Sequence, residues 1–307
     1  MIVCAGELIV DCFNENGNTV KAAGGAPFNV AAGISLLGGE ACFYGAVGDD
    51  ENGEFMLSEI AKLPFSKTQI DVIKGRHTTY SEVISENGER SFRFHRDGVD
   101  YLLSFPSASL LLDKEPSIIH LGSLCLPFPE GRQFVDGVYG YLSSHPNTRL
   151  SFDVNYRDSM FPEGEEGKRL FLDVIAHADI VKVTEEELAY LTGEVDVVLG
   201  ARRLSSTGQL LCVSLGSKGS FFHLDELEGF VPSLRALVPV DTTGAGDSFL
   251  SYVLFALDGR ELRSFRHEEL FDLFERANAC GALATQKKGA LSSFPRLSEV
   301  EGYISRS

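Results

Sequence analysis

Asp241-Thr242-Thr243-Gly244-Ala245-Gly246-Asp247 is the stretch whose residue types and spacing point most directly to chemistry. A β-branched, extended lead-in gives way to two glycines separated by one alanine, and then to the apolar run Leu250 to Leu257, which predicts a turn into a helix. Backbone N–H groups at such a turn have no intrahelical partner and form an anion hole. Asp247 falls in the first turn of that helix, where a carboxylate can accept a proton from a hydroxyl while the N–H groups of Gly244, Ala245 and Gly246 hold a migrating phosphoryl group. The competing reading is an ordinary turn with an acid at the positive end of a helix dipole. The flanking Asp-Thr-Thr weighs against it. P-loop chemistry is excluded, because no Gly-Lys-Ser/Thr accompanies these glycines.

The 307 residues are 44% hydrophobic and 23% charged, enough for a large α/β core. A net charge of -17 argues against a nucleic-acid surface, which needs clustered Lys and Arg. A nucleotide would have to arrive with Mg2+ or meet a local basic spot. The cysteines, Cys4, Cys12, Cys42, Cys125, Cys212 and Cys280, form no C-x-x-C pair and mostly lie in apolar runs, as buried thiols of a reducing compartment do. The start lacks the pattern of a signal peptide, and no run reaches the roughly 18 apolar residues of a membrane span. A cytoplasmic protein without membrane or nucleic-acid partners is expected.

Along the chain, short apolar runs alternate with helical patterns. Met1 to Val10 reads as a buried first strand that delivers Asp11 at its C-terminal edge, where open parallel sheets bind ligands. Asn14 to Asn18 reads as a turn, with a small strand after it. Gly24-Gly25 allows close backbone approach before a helix that runs to about Leu37 and carries Asn29 in its first turns. Asn29 is either a helix-capping residue or, with a donor and an acceptor on one short side chain, a contact for hydroxyls. Period-two alternation from Thr78 to Phe94 predicts a hairpin outside the parallel sheet, with Arg90, Arg93, His95 and Arg96 as a basic cluster. Further strands are expected at 117–121, 149–154, 180–183 and 209–215. The segment Asp153-Val154-Asn155-Tyr156-Arg157 gathers polar side chains at one strand end, and 221–231 reads as a second hairpin. Near the end, Asn278 among small residues leaves space for a flat base.

Two motifs carry a resemblance. Asp-Thr-Thr-Gly-Ala-Gly-Asp before an apolar helix, together with Gly24-Gly25-Ala26-Pro27-Phe28-Asn29-Val30-Ala31, resembles the signatures of the ribokinase-like (PfkB) carbohydrate kinases. The resemblance implies a doubly wound, mainly parallel sheet flanked by helices in one domain over 1–307, with a β-sheet lid from segments near 12–23 and 75–100. It also implies an ATP-dependent kinase acting on a primary hydroxyl of a small sugar, with Asp247 as base. Asp11, Gly24, Gly25, Asn29 and the lid's Arg96 would hold the sugar, and Asn155 and Arg157 would face the sugar or the transferred phosphate. Lys182, Ser214, Gly216, Gly219 and Asn278 would serve the nucleotide. Thr184-Glu185-Glu186-Glu187 resembles the family's Asn-x-x-Glu segment with Thr184 replacing Asn, which implies that Glu187 meets Mg2+ through water. Asp241, Thr243, Gly289 and Ser293 resemble a K+ site. Gly88 to Phe92 and Asn278 to Ala282 are most similar to the fructokinase and aminoimidazole riboside kinase branch. Fructose is the first expectation; aminoimidazole riboside, 2-keto-3-deoxygluconate and ribose stay open, as does a non-catalytic sugar or nucleotide sensor. The lid edges leave open either a homodimer or a monomer protected by edge charges.

Overall fold

The structure is a computed structural model that describes the chain except residues 16–17, 87–88, 96–97, 163, 234–236 and 306–307, and except the side chains of 14, 15, 18, 83–86, 89–92 and 94. In chain order the strands are β1 (Ile2–Ala5), β2 (Ile9–Glu15), β3 (Asn18–Gly24), β4 (Ala41–Gly48), β5 (Lys67–Ile73), β6 (Tyr80–Glu86), β7 (Glu89–His95), β8 (Ile118–Leu121), β9 (Arg149–Asp153), β10 (Ile180–Thr184), β11 (Leu210–Ser214), β12 (Gly219–Leu224) and β13 (Leu227–Pro232). The helices are α1 (Ala26–Leu36), α2 (Glu51–Ile60), α3 (Phe105–Ser109), α4 (Pro129–Ser144), α5 (Glu165–His177), α6 (Glu185–Thr192), α7 (Val197–Leu204), α8 (Ala245–Leu257), α9 (His267–Ala284), α10 (Ala290–Ser293) and α11 (Leu297–Ile304).

Nine strands form one sheet in the order β13-β12-β11-β10-β9-β8-β1-β4-β5. Pairing is parallel from β11 through β5, and β12 alone runs the other way, antiparallel to both β11 and β13. Strands such as Ile2-Val3-Cys4-Ala5 are apolar at every position and buried at every position, as a sheet covered on both faces demands. Residues of α1, α8 and α9 pack on one face, and those of α4, α5, α6 and α7 on the other. Parallel strands separated by crossover helices direct all their C-terminal ends to one edge. Among the described residues, no helix is long and apolar enough to cross a membrane.

A second sheet has four strands in the order β3-β2-β6-β7. The hairpin expected from turn composition at 14–18 and the one expected from period-two patterning at 78–94 are both in it, with Glu15 opposite Asn18 and Glu86 opposite Glu89. The first strand departs from expectation. Met1 to Val10 is not one strand: the chain leaves the large sheet at Gly6, and from Ile9 it belongs to the small sheet. Gly6 has φ 156° and backs onto the Pro27 ring, since a Cβ there would come within 2.6 Å of Pro27 Cγ. Asp11 therefore stands on the small sheet, paired in register with Ser81, and not at the edge of the parallel one. The lead-in from Val238 to Val240 forms no strand either. Val240 N and Asp241 N both donate to Thr285 O, at 2.8 and 3.1 Å, so this segment is held by a single carbonyl after α9.

Helices α1 and α8 lie against each other through small residues. Ser251 Oγ donates to Val30 O at 3.1 Å and to Asp247 O at 2.7 Å, and a Cβ on Gly33 would sit 2.2 Å from that hydroxyl. Gly33→Val should therefore force the helices apart. Overpacking of this kind costs about 1–3 kcal/mol, which a urea titration would read as a lower midpoint at unchanged slope; an unchanged midpoint would show that the contact yields freely.

Candidate active site

Helix α8 begins at Gly244, whose left-handed conformation (φ 78°, ψ 1°) lets the chain turn from the Asp-Thr-Thr segment into the helix without a side-chain cap. Ala245 N donates to Thr242 O at 3.2 Å, and the other N–H groups of this turn, those of Gly244 and Gly246 among them, are left for a ligand. The segment is braced from below by Asp241. Its Oδ1 accepts from Thr243 N and Thr243 Oγ1 at 3.1 and 2.8 Å, and its Oδ2 accepts from Gly289 N at 2.8 Å. Asp241 and Thr243 are thereby brought to the loop ahead of α10, with Gly289 at its start. Ser293 Oγ donates back to Gly289 O and Ala290 O at 2.9 and 2.8 Å.

One helical turn into α8, Asp247 Oδ2 accepts from Asn29 Nδ2 at 2.8 Å. Asn29 lies within α1, with its backbone N–H on Gly25 O, so it does not cap the helix. Its Oδ1 is buried without a hydrogen-bond partner. Buried polar atoms are almost always paired, so an acceptor left open beside a carboxylate marks the place of a ligand's donor. Burial pushes the Asp247 carboxyl above its usual range and Asp11 adds to this, whereas the Asn29 bond and the charges of Lys182 and Arg157 pull it back.

A cavity of about 570 Å³ opens between this helix end and the small sheet. Asp11 and Asp247 both line it, with Asn29 and Gly25 along one wall and Asn155, Arg157, Lys182 and Glu187 along another. Asp11 Oδ1 accepts from Ser81 Oγ, and burial raises its carboxyl to about 6 against that bond. Lys182 on β10 is 5% exposed and Asp153, its register partner on β9, is fully buried; Nζ lies 3.1 and 3.2 Å from the two carboxylate oxygens. A Cβ on Gly246 would come within 3.3 Å of Nζ, so the ammonium lies directly beneath the α8 turn. Burial works against that charge, yet Asp153, Glu187 and Asp247 outweigh it and hold Lys182 protonated. Glu187 closes a capping box on α6: Oε2 accepts from Thr184 N at 2.8 Å, while Oε1 accepts from Tyr156 N at 2.7 Å.

With this geometry in place, the relatives are informative. The profile described as pfkB family carbohydrate kinase matches residues 1–297. The chain belongs to this family of carbohydrate kinases. It is 35% identical to fructokinase-1 of Zea mays over 98% of this chain and 96% of that protein. Its fold is similar to the fructokinase of Vibrio cholerae O395 solved with fructose, ADP and calcium ion, with a TM-score of 0.86, 29% identity and 99% and 98% of the two chains covered. The fructokinase of Xylella fastidiosa with bound ATP superposes with a TM-score of 0.89 at 28% identity, over 99% of this chain and 98% of that one. Aminoimidazole riboside kinase of Salmonella enterica gives 0.83 at 26% identity, over 99% of both chains. The protein is an ATP-dependent sugar kinase.

The kinase gathers most of the residues singled out in its sequence around one cavity, and several fall elsewhere. Asn278 is spent on the fold: Nδ2 donates to Val231 O at 3.0 Å and Pro232 O at 3.4 Å, tying α9 to the end of β13. It offers no free donor to a base. Ser214, Gly216 and Gly219 sit in the β11–β12 connection outside the cavity lining. Gly219 has a packing duty there, since its Cβ would lie 2.1 Å from Val231 O. Gly24 stands behind Asp11, with a Cβ position 2.7 Å from Asp11 Oδ2. Arg96 lies outside the described residues, as does the Arg90 side chain; Arg93 and His95 face Glu82 at 3.4 and 3.6 Å. Two acids escaped the sequence reading, Glu7 and Asp153. Only the polar cluster at the end of β9 hinted at the second, and nothing hinted at the first.

Removing one partner of a buried ion pair strands the other charge and costs about 3–5 kcal/mol. Asp153→Asn should lower the urea midpoint accordingly, and Asp153→Leu combined with Lys182→Met should restore most of it. If the single variant melts like the wild type, Lys182 has another source of compensation.

Proposed function

We propose that this kinase is a fructokinase, moving the γ-phosphoryl group of ATP to the 6-hydroxyl of fructose. The observation that carries the sugar side is the open Asn29 Oδ1 beside the Asp247 carboxylate, in a cavity that Asp11 closes from the small sheet. The full-length similarity to several fructokinases favours fructose among sugars. In the proposed reaction Asn29 orients Asp247, whose free oxygen takes the hydroxyl proton as the sugar oxygen attacks phosphorus. The bond to the bridging oxygen breaks and ADP departs. The N–H groups of Gly244 and Gly246 and the Lys182 ammonium receive the charge on the migrating group, while the expected third donor, Ala245 N, is taken by Thr242 O; Arg157 stands at the cavity rim with Asn155 beside it. Burial raises the Asp247 carboxyl and so strengthens it as a base, while the Asn29 bond and the charges of Lys182 and Arg157 oppose that rise.

The nucleotide would extend from α8 toward Ser214, Gly216 and Gly219. Among the described residues no cluster of three or more His, Cys, Asp or Glu could hold a metal. A divalent ion then enters with the ATP phosphates, as Mg2+ does when it keeps its waters, and Glu187, oriented by two backbone N–H groups, fits a contact through water. Mg2+ would supply charge neutralisation along the phosphates. The four-stranded sheet serves as a lid, and its outer strands β3 and β7 are the edges through which two copies would pair. Free thiols at all six cysteines suit a reducing cytoplasm. Aminoimidazole riboside is the second reading, on the strength of the Salmonella enterica fold.

An ATP-depletion assay over a panel of fructose, ribose, 2-keto-3-deoxygluconate and aminoimidazole riboside should give the highest kcat/KM with fructose; a higher value for another acceptor would reassign the substrate. Asp247→Asn should lose about 100-fold to 10,000-fold in kcat with the sugar KM little changed. Retention of a third of wild-type activity would remove Asp247 as the base.

Asp241, Thr243 and the Gly289 loop also supply hard oxygens within one hydrogen-bonded unit, which fits a monovalent cation such as K+. A cation there would stiffen the α8 turn, so it would act on kcat. Replacing K+ by tetramethylammonium at saturating Mg-ATP and constant ionic strength should slow turnover by roughly tenfold or more, because misplaced oxyanion donors are costly. An unchanged rate would leave Asp241 as a structural brace alone.

A further inference from the structure

The crossing between the two sheets holds a carboxylate that no step above uses. Glu7 is 2% exposed, sits between β1 and β2 and lines the cavity. Its Oε1 accepts from Ala26 N at 3.1 Å, the first N–H of α1. That helix start has no cap of its own: Gly25 carries no side chain, and Pro27 at the second position has no N–H to offer. Bare backbone surrounds the acid on three sides. A Cβ on Gly25 would come within 2.2 Å of Glu7 O, one on Gly122 within 2.7 Å of Glu7 Oε2, and Gly6 and Gly122 both press against the Pro27 ring. A side chain at Gly122 would push on the carboxylate itself, one at Gly25 on the Glu7 main chain and one at Gly6 on the Pro27 ring.

The charges around it do not explain its presence. Among the described residues no basic side chain pairs with Glu7, and the charged groups facing it are Asp100, from the segment after β7, and Asp247 on α8. Burial first and then these two acids raise the carboxyl to about 7, against its own backbone N–H and that of Ala26. A neutral amide of the same shape would accept the same hydrogen bond without that cost. A charge held at such a place, one helical turn from Asn29, has a use beyond packing.

We propose that Glu7 is a positioning residue for phosphotransfer: it fixes the start of α1, and through Asn29 the orientation of Asp247, to the point where the chain enters the lid. When α1 is anchored, the Asn29 amide meets both the Asp247 carboxylate and the sugar at fixed distance. When Glu7 is lost, α1 slides at its first turn and the open Asn29 Oδ1 leaves the sugar. The ionised form binds the helix start more tightly than the protonated one, because it faces the positive end of the α1 dipole.

The inference rests on the sugar-kinase reading and not on the choice of fructose. Wild type is assayed alongside with whichever panel sugar it turns over fastest, so an inactive wild type would count against that reading, while only differences among variants bear on Glu7. Glu7→Ala should raise the sugar KM tenfold or more with the ATP KM within twofold. Glu7→Gln should restore the sugar KM to within threefold of wild type at pH 8. An Ala variant with unchanged sugar KM, or a Gln variant no better than Ala, would overturn the proposal. If Glu7→Ala fails to fold, the pH profile decides. Asp11 titrates in both proteins, so between pH 8 and pH 6 the sugar KM of wild type should rise at least threefold more than that of Glu7→Gln. Parallel profiles would overturn the assignment.

Discussion

One hydrogen bond joins the two ends of the chain at the reaction centre: Asn29 Nδ2 to Asp247 Oδ2, between residues 218 apart in sequence. Close packing of two helices fixes it, helped by hydrogen bonds to their main chains. Helices α1 and α8 must lie close enough for the bond, which is why glycine stands at 33 and a small hydroxyl at 251, and why that hydroxyl reaches the main chain of both helices. The helices in turn lie on one face of a sheet whose central strands are apolar throughout. A contact formed so late in the chain's connectivity closes a long loop, and its entropic cost is met by burial across the whole α1–α8 face and not by the bond itself.

Electrostatics set the second constraint. The cavity is lined by Glu7, Asp11, Glu187, Asp241 and Asp247, against Lys182 and Arg157. Such a site repels ATP unless positive potential is delivered at one point. The α8 turn and the Lys182 ammonium beneath Gly246 deliver it there, and the buried Asp153 keeps the lysine charged at that spot. Burial raises the proton affinity of Glu7, Asp11 and Asp247, and neighbouring acids add to it at Glu7 and Asp247. An acidic protein thus binds an anion by concentrating its few cations where the backbone already favours one.

How much of this was legible beforehand follows from what kind of signal each feature leaves. Asp241 to Asp247 and Gly24 to Asn29 are local runs whose residue types state their geometry, and the structure puts both at one cavity. Period-two alternation was enough to separate β6 and β7 of the small sheet from the parallel one. Asp11 was placed on the wrong sheet, because a continuous apolar run conceals a break at Gly6 that depends on the Pro27 ring far along the chain. Asn278 looked like a site residue for its small neighbours, yet its amide answers to carbonyls of β13 that no local pattern names. Glu7 was silent, and the polar run at 153–157 only hinted at Asp153, for the same reason. Each takes its meaning from a partner across the fold, Ala26 for one and Lys182 for the other.

The first hairpin of the small sheet leaves the chain's path at Glu7 and rejoins it at Gly25, where the two backbones touch so closely that a Cβ on Gly25 would come within 2.2 Å of Glu7 O. Ile9 and Gly24 pair across its mouth, and Asp11 lies on the strand between. The segment from Ile9 to Gly24 is therefore a hairpin closed at its base and held along one side by β6, from Val10 to Phe13. Seen as a module, it is a cassette: descent within such a family could trade one hairpin for another, and with it the acceptor, while leaving the phosphate-handling half of the enzyme untouched.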